Sequence, residues 1–199
     1  DLIFSPAQSG DRKEPLEVYG PKGLKEMTEY ILKAHMLSPK DERYKVNAHE
    51  ITPGVVYKDA NVTVKAFLVK HGDVEAFGYR FETPDRVIVF TGDTGPSEAV
   101  TELAKGADLL VTETSSCEDR KQAMINDGRW QAMTAVEQAG IMRQAMQGHV
   151  TPDVIGKMAR RANVKTVVLT HLTQRVGSDD YTPWAEEVKK HFSGDVLVA

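Results

Sequence analysis

The stretch Val87-Ile88-Val89-Phe90-Thr91-Gly92-Asp93-Thr94-Gly95 decides how this chain is read. An apolar, β-branched run breaks into a glycine-bearing polar loop, which predicts a buried strand that delivers Asp93 to a sheet edge. Two further runs end in the same way. Val62 to Lys70 stops at His71-Gly72, and Thr166 to Thr170 stops at His171. Strands that each bring one imidazole or carboxylate to a common edge build a metal site, because ligands must converge from rigid supports. Two histidines and a carboxylate suit zinc, iron or manganese, and leave positions open for water and substrate. A structural zinc site would instead be closed, usually by cysteines. Singly, each residue has a plainer reading: His71 as a loop histidine, Asp93 as a turn residue ahead of a helix. Their shared position at strand ends is what favours the metal.

Outward from these runs, Leu16 to Tyr19 is a short strand after a polar, irregular start. A helix follows from about Gly23 to His35, with Leu24, Met27, Ile31 and Leu32 on one face. Lys45 to Thr52 and Val55 to Tyr57 are strands, and Phe77 to Glu82 pairs with Val87 to Thr91 as a hairpin. Pro96 starts a helix to about Lys105, and Leu109 to Thr112 is a strand. Helical stretches cover about 117–147, broken near Asp127-Gly128 and Gly140, with Met124, Met133, Met142 and Met146 as core packing. Pro152 to Ala162 and Pro183 to Phe192 are helices, and Val196 to Val198 is a last strand. A β-rich first half and an alternating second half give an α/β or α+β fold around mixed sheets.

Composition narrows the function classes. At 199 residues and 41% hydrophobic content the chain can bury one good core. With a net charge of −4 and no basic cluster longer than Arg160-Arg161, nothing advertises a nucleic-acid groove. The single Cys117 excludes an internal disulfide. No apolar run approaches the ~20 residues that span a bilayer, so no membrane partner is expected. The compartment stays unassigned: the cytoplasm is favoured, and export stays open because the chain begins at Asp1 rather than Met.

The strings EVYGPKGL (17–24), HGDVEAFGYRF (71–81), VFTGDTG (89–95), LLVTET (109–114) and VVLTHL (167–172), in this order, resemble the metallo-β-lactamase superfamily on its ribonuclease Z and arylsulfatase-like branch. The resemblance runs from about Leu16 to Leu172. It implies a sandwich of two mixed sheets flanked by helices (αββα), with metals at one edge. It also implies that His71 ligates one metal, Asp93 bridges two, and His171 ligates the second. Two Zn2+ ions are expected in a complete site, with Mn2+ or Fe as alternatives. Glu113 matches an acidic residue near the site, and His149, in GHVTPD (148–153), matches a histidine that protonates the leaving group. These two, with Asp93, are the expected catalytic residues.

The family's His-x-His-x-Asp-His motif is absent. Residues 1–199 are therefore expected to be a single metallo-β-lactamase-like domain lacking its N-terminal strands. Only Phe81 to Phe90 separates Tyr79-Arg80 from Thr91-Gly92-Asp93, where a ribonuclease Z usually carries an insertion, and no basic arm for transfer RNA is visible. The expected activity is metal-dependent hydrolysis of an ester-type bond (phosphodiester, sulfate ester or carboxylic ester) in a small substrate. Endonucleolytic processing of tRNA 3′ ends ranks second, with nucleic acid kept open as a partner, and a non-catalytic binding or regulatory remnant is the third reading. A homodimer is left open. Asp93-Thr94-Gly95 also spells the aspartic-protease triplet, but a proline-started helix follows where that family needs a tight β-loop.

Overall fold

The computed structural model describes residues 3–10, 12–38, 40–41, 44–172 and 180–199. It divides into two compact units, Asp1–Thr52 and Pro53–Ala199. In the first, a short helix α1 (Ser5–Gln8), begun by Pro6, occupies the segment expected to be irregular. Strands β1 (Leu16–Gly20) and β2 (Val46–Glu50) pair in parallel, joined by helix α2 (Leu24–Ala34). The Glu50 carboxylate accepts from the Gly23 N–H at 2.8 Å, satisfying one of the free amides at the start of α2. The buried line of α2 is Leu24, Thr28 and Leu32, four residues apart, while Met27 is 51% exposed and not on the expected apolar face. Thr28 fits because its hydroxyl donates to the Lys25 carbonyl, so no polar group is buried unpaired.

The second unit is built on a seven-stranded sheet in sequence order: β3 (Gly54–Lys58), β4 (Thr63–His71), β5 (Val74–Glu82), β6 (Val87–Phe90), β7 (Leu109–Glu113), β8 (Thr166–Thr170) and β9 (Asp195–Val198). Strands β3 to β6 are antiparallel neighbours, and β6 to β9 are parallel. Val89, Leu110, Val167, Leu169 and Val196 bury one face. Helices α3 (Glu98–Leu103), α7 (Pro152–Arg161) and α8 (Thr182–Lys189) contribute Val100, Leu103, Ile155, Met158, Trp184 and Val188 to the same core. Each such aliphatic or aromatic side chain contributes about 1.5–3 kcal/mol by burial. On the opposite face Leu68, Phe90 and Leu197 stay 47%, 43% and 57% exposed.

Between β7 and α7 lie α4 (Cys117–Asn126), α5 (Arg129–Ala132) and α6 (Ala135–Gly148). The break near Asp127-Gly128 is present. That at Gly140 is not, because the helix restarts earlier: Thr134 and Glu137 form a reciprocal capping box at its N-terminus. Gly140 then sits inside α6 with open space around it. Helix α3 starts at Glu98 rather than Pro96, since Ser97 takes the cap and accepts from Ala99 N–H. Of the four methionines assigned to core packing, Met124 is buried and Met146 is 57% exposed. Among the described residues no helix is long and apolar enough to cross a membrane.

Candidate metal centre

Strand direction assembles the site. Strand β4 runs antiparallel to β5, and β5 antiparallel to β6, so β4 points the same way as β6, β7 and β8. Their C-terminal ends share one edge of the sheet, where α/β folds place ligands. His71 is the last residue of β4, Glu113 the last of β7, and His171 follows β8. Asp93 follows β6 after Thr91-Gly92. The fifth expected residue, His149, closes α6 at the same edge. All five meet.

Asp93 is the hub. Its Oδ2 lies 3.9 Å from His71 Nε2, and its Oδ1 lies 3.5 Å from His171 Nδ1. Donors about 2.0–2.2 Å from one ion cannot be more than about 4.4 Å apart, so both separations fit shared cations. The His71 ring is pre-set as well. Its Nδ1 faces the Gly148 carbonyl at 2.8 Å, and a carbonyl only accepts, so Nδ1 carries the proton and Nε2 keeps its lone pair for a metal. The tightest donor triple is His71, Asp93 and His149, whose ligand atoms lie within 4.8 Å of one another. The structure thus brings His149, expected as a proton donor, within ligand reach of His71 and Asp93, a grouping that does not include His171. His171 itself sits at φ 49°, a left-handed conformation uncommon outside glycine and typical of functional loops.

His149 Nδ1 meets Glu113 Oε1 at 3.0 Å, and the same oxygen accepts from the Thr94 N–H at 2.9 Å. Glu113 Oε2 is buried without a hydrogen-bond partner. Burial, reinforced by the Asp93 charge and opposed by the Thr94 N–H, pushes the Glu113 carboxyl up to about 8. Burial also lowers His149. A carboxyl that resists ionisation beside an imidazole that resists protonation makes a pair suited to holding and releasing a proton.

The Asp93 loop is held by a close approach. Gly95 N–H donates to the Lys70 carbonyl, and a Cβ on Gly95 would lie 1.8 Å from the Gln147 carbonyl oxygen. Gly95→Ala is expected to lose about 3 kcal/mol in urea unfolding, because the loop or the end of α6 must move. Gly140→Ala, in open space within α6, is expected to gain up to about 1 kcal/mol in the same assay.

These side chains open into a cavity of about 450 Å³ lined by His71, Asp93, Ser115, Arg120, Gln144, His149, His171 and Leu172. Arg120 and Gln144 were not anticipated. They come from α4 and α6, and no local pattern aims them at the strand ends. Trp130 packs under the Lys121 ammonium, 5.5 Å from its ring centre.

A family model for the beta-lactamase superfamily domain matches residues 6–172. A ribonuclease Z of Methanosarcina mazei is 28% identical, over 94% of this chain and 69% of its own length. Among solved structures, the metallo-beta-lactamase fold protein YhfI from Bacillus subtilis aligns with a TM-score of 0.67 at 19% identity, over 99% of this chain and 66% of that one. Human tRNase Z, short form, aligns with a TM-score of 0.63 at 21% identity, over 100% of this chain and 69% of that one. The chain thus spans roughly two thirds of each of these proteins, and at these identities the two structures speak to the fold alone.

Proposed function

The chain belongs to the metallo-β-lactamase superfamily, on the branch that includes the ribonucleases Z, and from that premise we propose that it is a metal-dependent hydrolase of phosphodiester bonds. The observation that carries this is the meeting of His71, Asp93 and His171 at one sheet edge, with Asp93 facing both imidazoles. These three would hold the metal, zinc by preference for the two-imidazole and carboxylate donor set. When bound there, the ion supplies Lewis acidity and makes water acidic enough to attack near neutral pH. The chain's own part is positional and protonic. Asp93 orients toward both histidines, the Gly148 carbonyl fixes the His71 tautomer, and His149 passes a proton from Nε2 to the departing oxygen. After that transfer the pair still shares a proton between His149 Nδ1 and Glu113 Oε1. We also read residues 1–199 as part of one such domain, because the family match runs through the division at Thr52.

Two substrates of this chemistry are in view. A small phosphodiester suits an acidic chain with a modest cavity. A tRNA precursor is favoured by the relative named ribonuclease Z, and it weighs more here than composition alone allowed. The test is turnover of bis(p-nitrophenyl) phosphate beside a 3′-extended tRNA transcript, each with Zn2+, with Mn2+ and after chelation. Metal-dependent, chelator-sensitive cleavage of either is expected, and the faster one names the substrate. Turnover of neither with metal bound would sink the reading.

A further inference from the structure

The metal-site cavity holds one strong group that the reaction so far leaves idle. Arg120, the fourth residue of α4, lines it together with His71, Asp93, His149 and His171. It is half-buried, and among the described residues no carboxylate pairs with it. Asp93, in the same cavity, is directed at His71 and His171 instead. A guanidinium partly withdrawn from water without a carboxylate partner has lost solvation that an incoming anion can replace. Its planar fork of N–H donors matches two oxygens of one phosphate, and such charge-assisted bonds are the stronger class. Gln144, exposed in the same cavity, adds a neutral amide.

Resting on the phosphodiesterase reading above, we propose that Arg120 binds the non-bridging oxygens of the substrate's phosphate and thereby selects anionic diesters over neutral esters. Asp93 and the histidines would then address the cation while Arg120 addresses the anion, two halves of one site supplied by different layers of the fold.

The test compares wild type, Arg120→Met and Arg120→Lys in the metal-loaded full chain on bis(p-nitrophenyl) phosphate and on p-nitrophenyl acetate. Arg120→Met is expected to lose about 10- to 100-fold in kcat/KM on the anionic diester, the scale of one charge-assisted hydrogen bond. Metal-dependent hydrolysis of the neutral ester should hold, as should metal content, and Arg120→Lys should recover part of the loss. Equal losses on both esters, or none on either, would overturn the role. Failure of the underlying reading looks different, since wild type would then leave the diester uncleaved whether or not it turns over the neutral ester. In that event titration with inorganic phosphate decides: weaker binding by Arg120→Met, by about tenfold, supports the anion site, and identical binding ends it.

Discussion

Asp93→Ala in the full chain is expected to lose hydrolysis by on the order of 10³-fold, because several kcal/mol of charge stabilisation depend on the metal, at about 1.4 kcal/mol per decade. Bound metal should fall in parallel by elemental analysis. The reason is geometric: Asp93 has one oxygen 3.9 Å from His71 Nε2 and the other 3.5 Å from His171 Nδ1, so one carboxylate serves both imidazoles. Deleting it leaves two histidines with nothing between them. Stability of the metal-free chain should barely change, since the Asp93 side chain is 34% exposed and the loop is held through Thr94 and Gly95 backbone bonds. Asp93→Asn keeps the shape but gives up the negative charge, so it should fall between. Full metal content in Asp93→Ala would show that the cation sits elsewhere.

How much of this was legible beforehand follows from where the information lies. The strands were readable because β-branched runs of 62–70, 87–91 and 166–170 each end at a polar breaker, and burial on a sheet imposes that pattern. His71, Asp93 and His171 could be placed at one edge on the same grounds. Helix ends were less legible. Pro96 and Gly140 are strong local signals, yet Ser97 and the Thr134–Glu137 capping box satisfy more backbone groups and set the boundaries. Met27 looked like core because its spacing fits, but Thr28 takes the buried position with its hydroxyl tied to Lys25. Arg120 and Gln144 could not be found at all: a side chain on one helix meets a strand end only through packing, which no window of sequence encodes.

His149→Ala separates two roles that the geometry leaves adjacent. As a proton donor His149 should contribute about 10²–10⁴-fold to kcat, and its loss should spare the metal. As a metal ligand it should take metal with it, and the close triple of His71, Asp93 and His149 makes that a real alternative. An occupied Nδ1 alone suits either role, as it does in His71. A Glu113 carboxyl pushed up to about 8, however, can hold its proton and pass it to Nδ1 at 3.0 Å, which leaves a proton on Nε2 and favours the donor. Glu113→Gln sharpens the test. A glutamine can still contact Nδ1 but carries no titratable proton, so kcat should drop by about 10- to 100-fold with metal retained. Undiminished metal in both variants, with kcat falling further in His149→Ala, is the expected pattern. Metal lost from His149→Ala in proportion to activity would instead move His149 into the ligand set and leave the leaving group to be protonated by solvent.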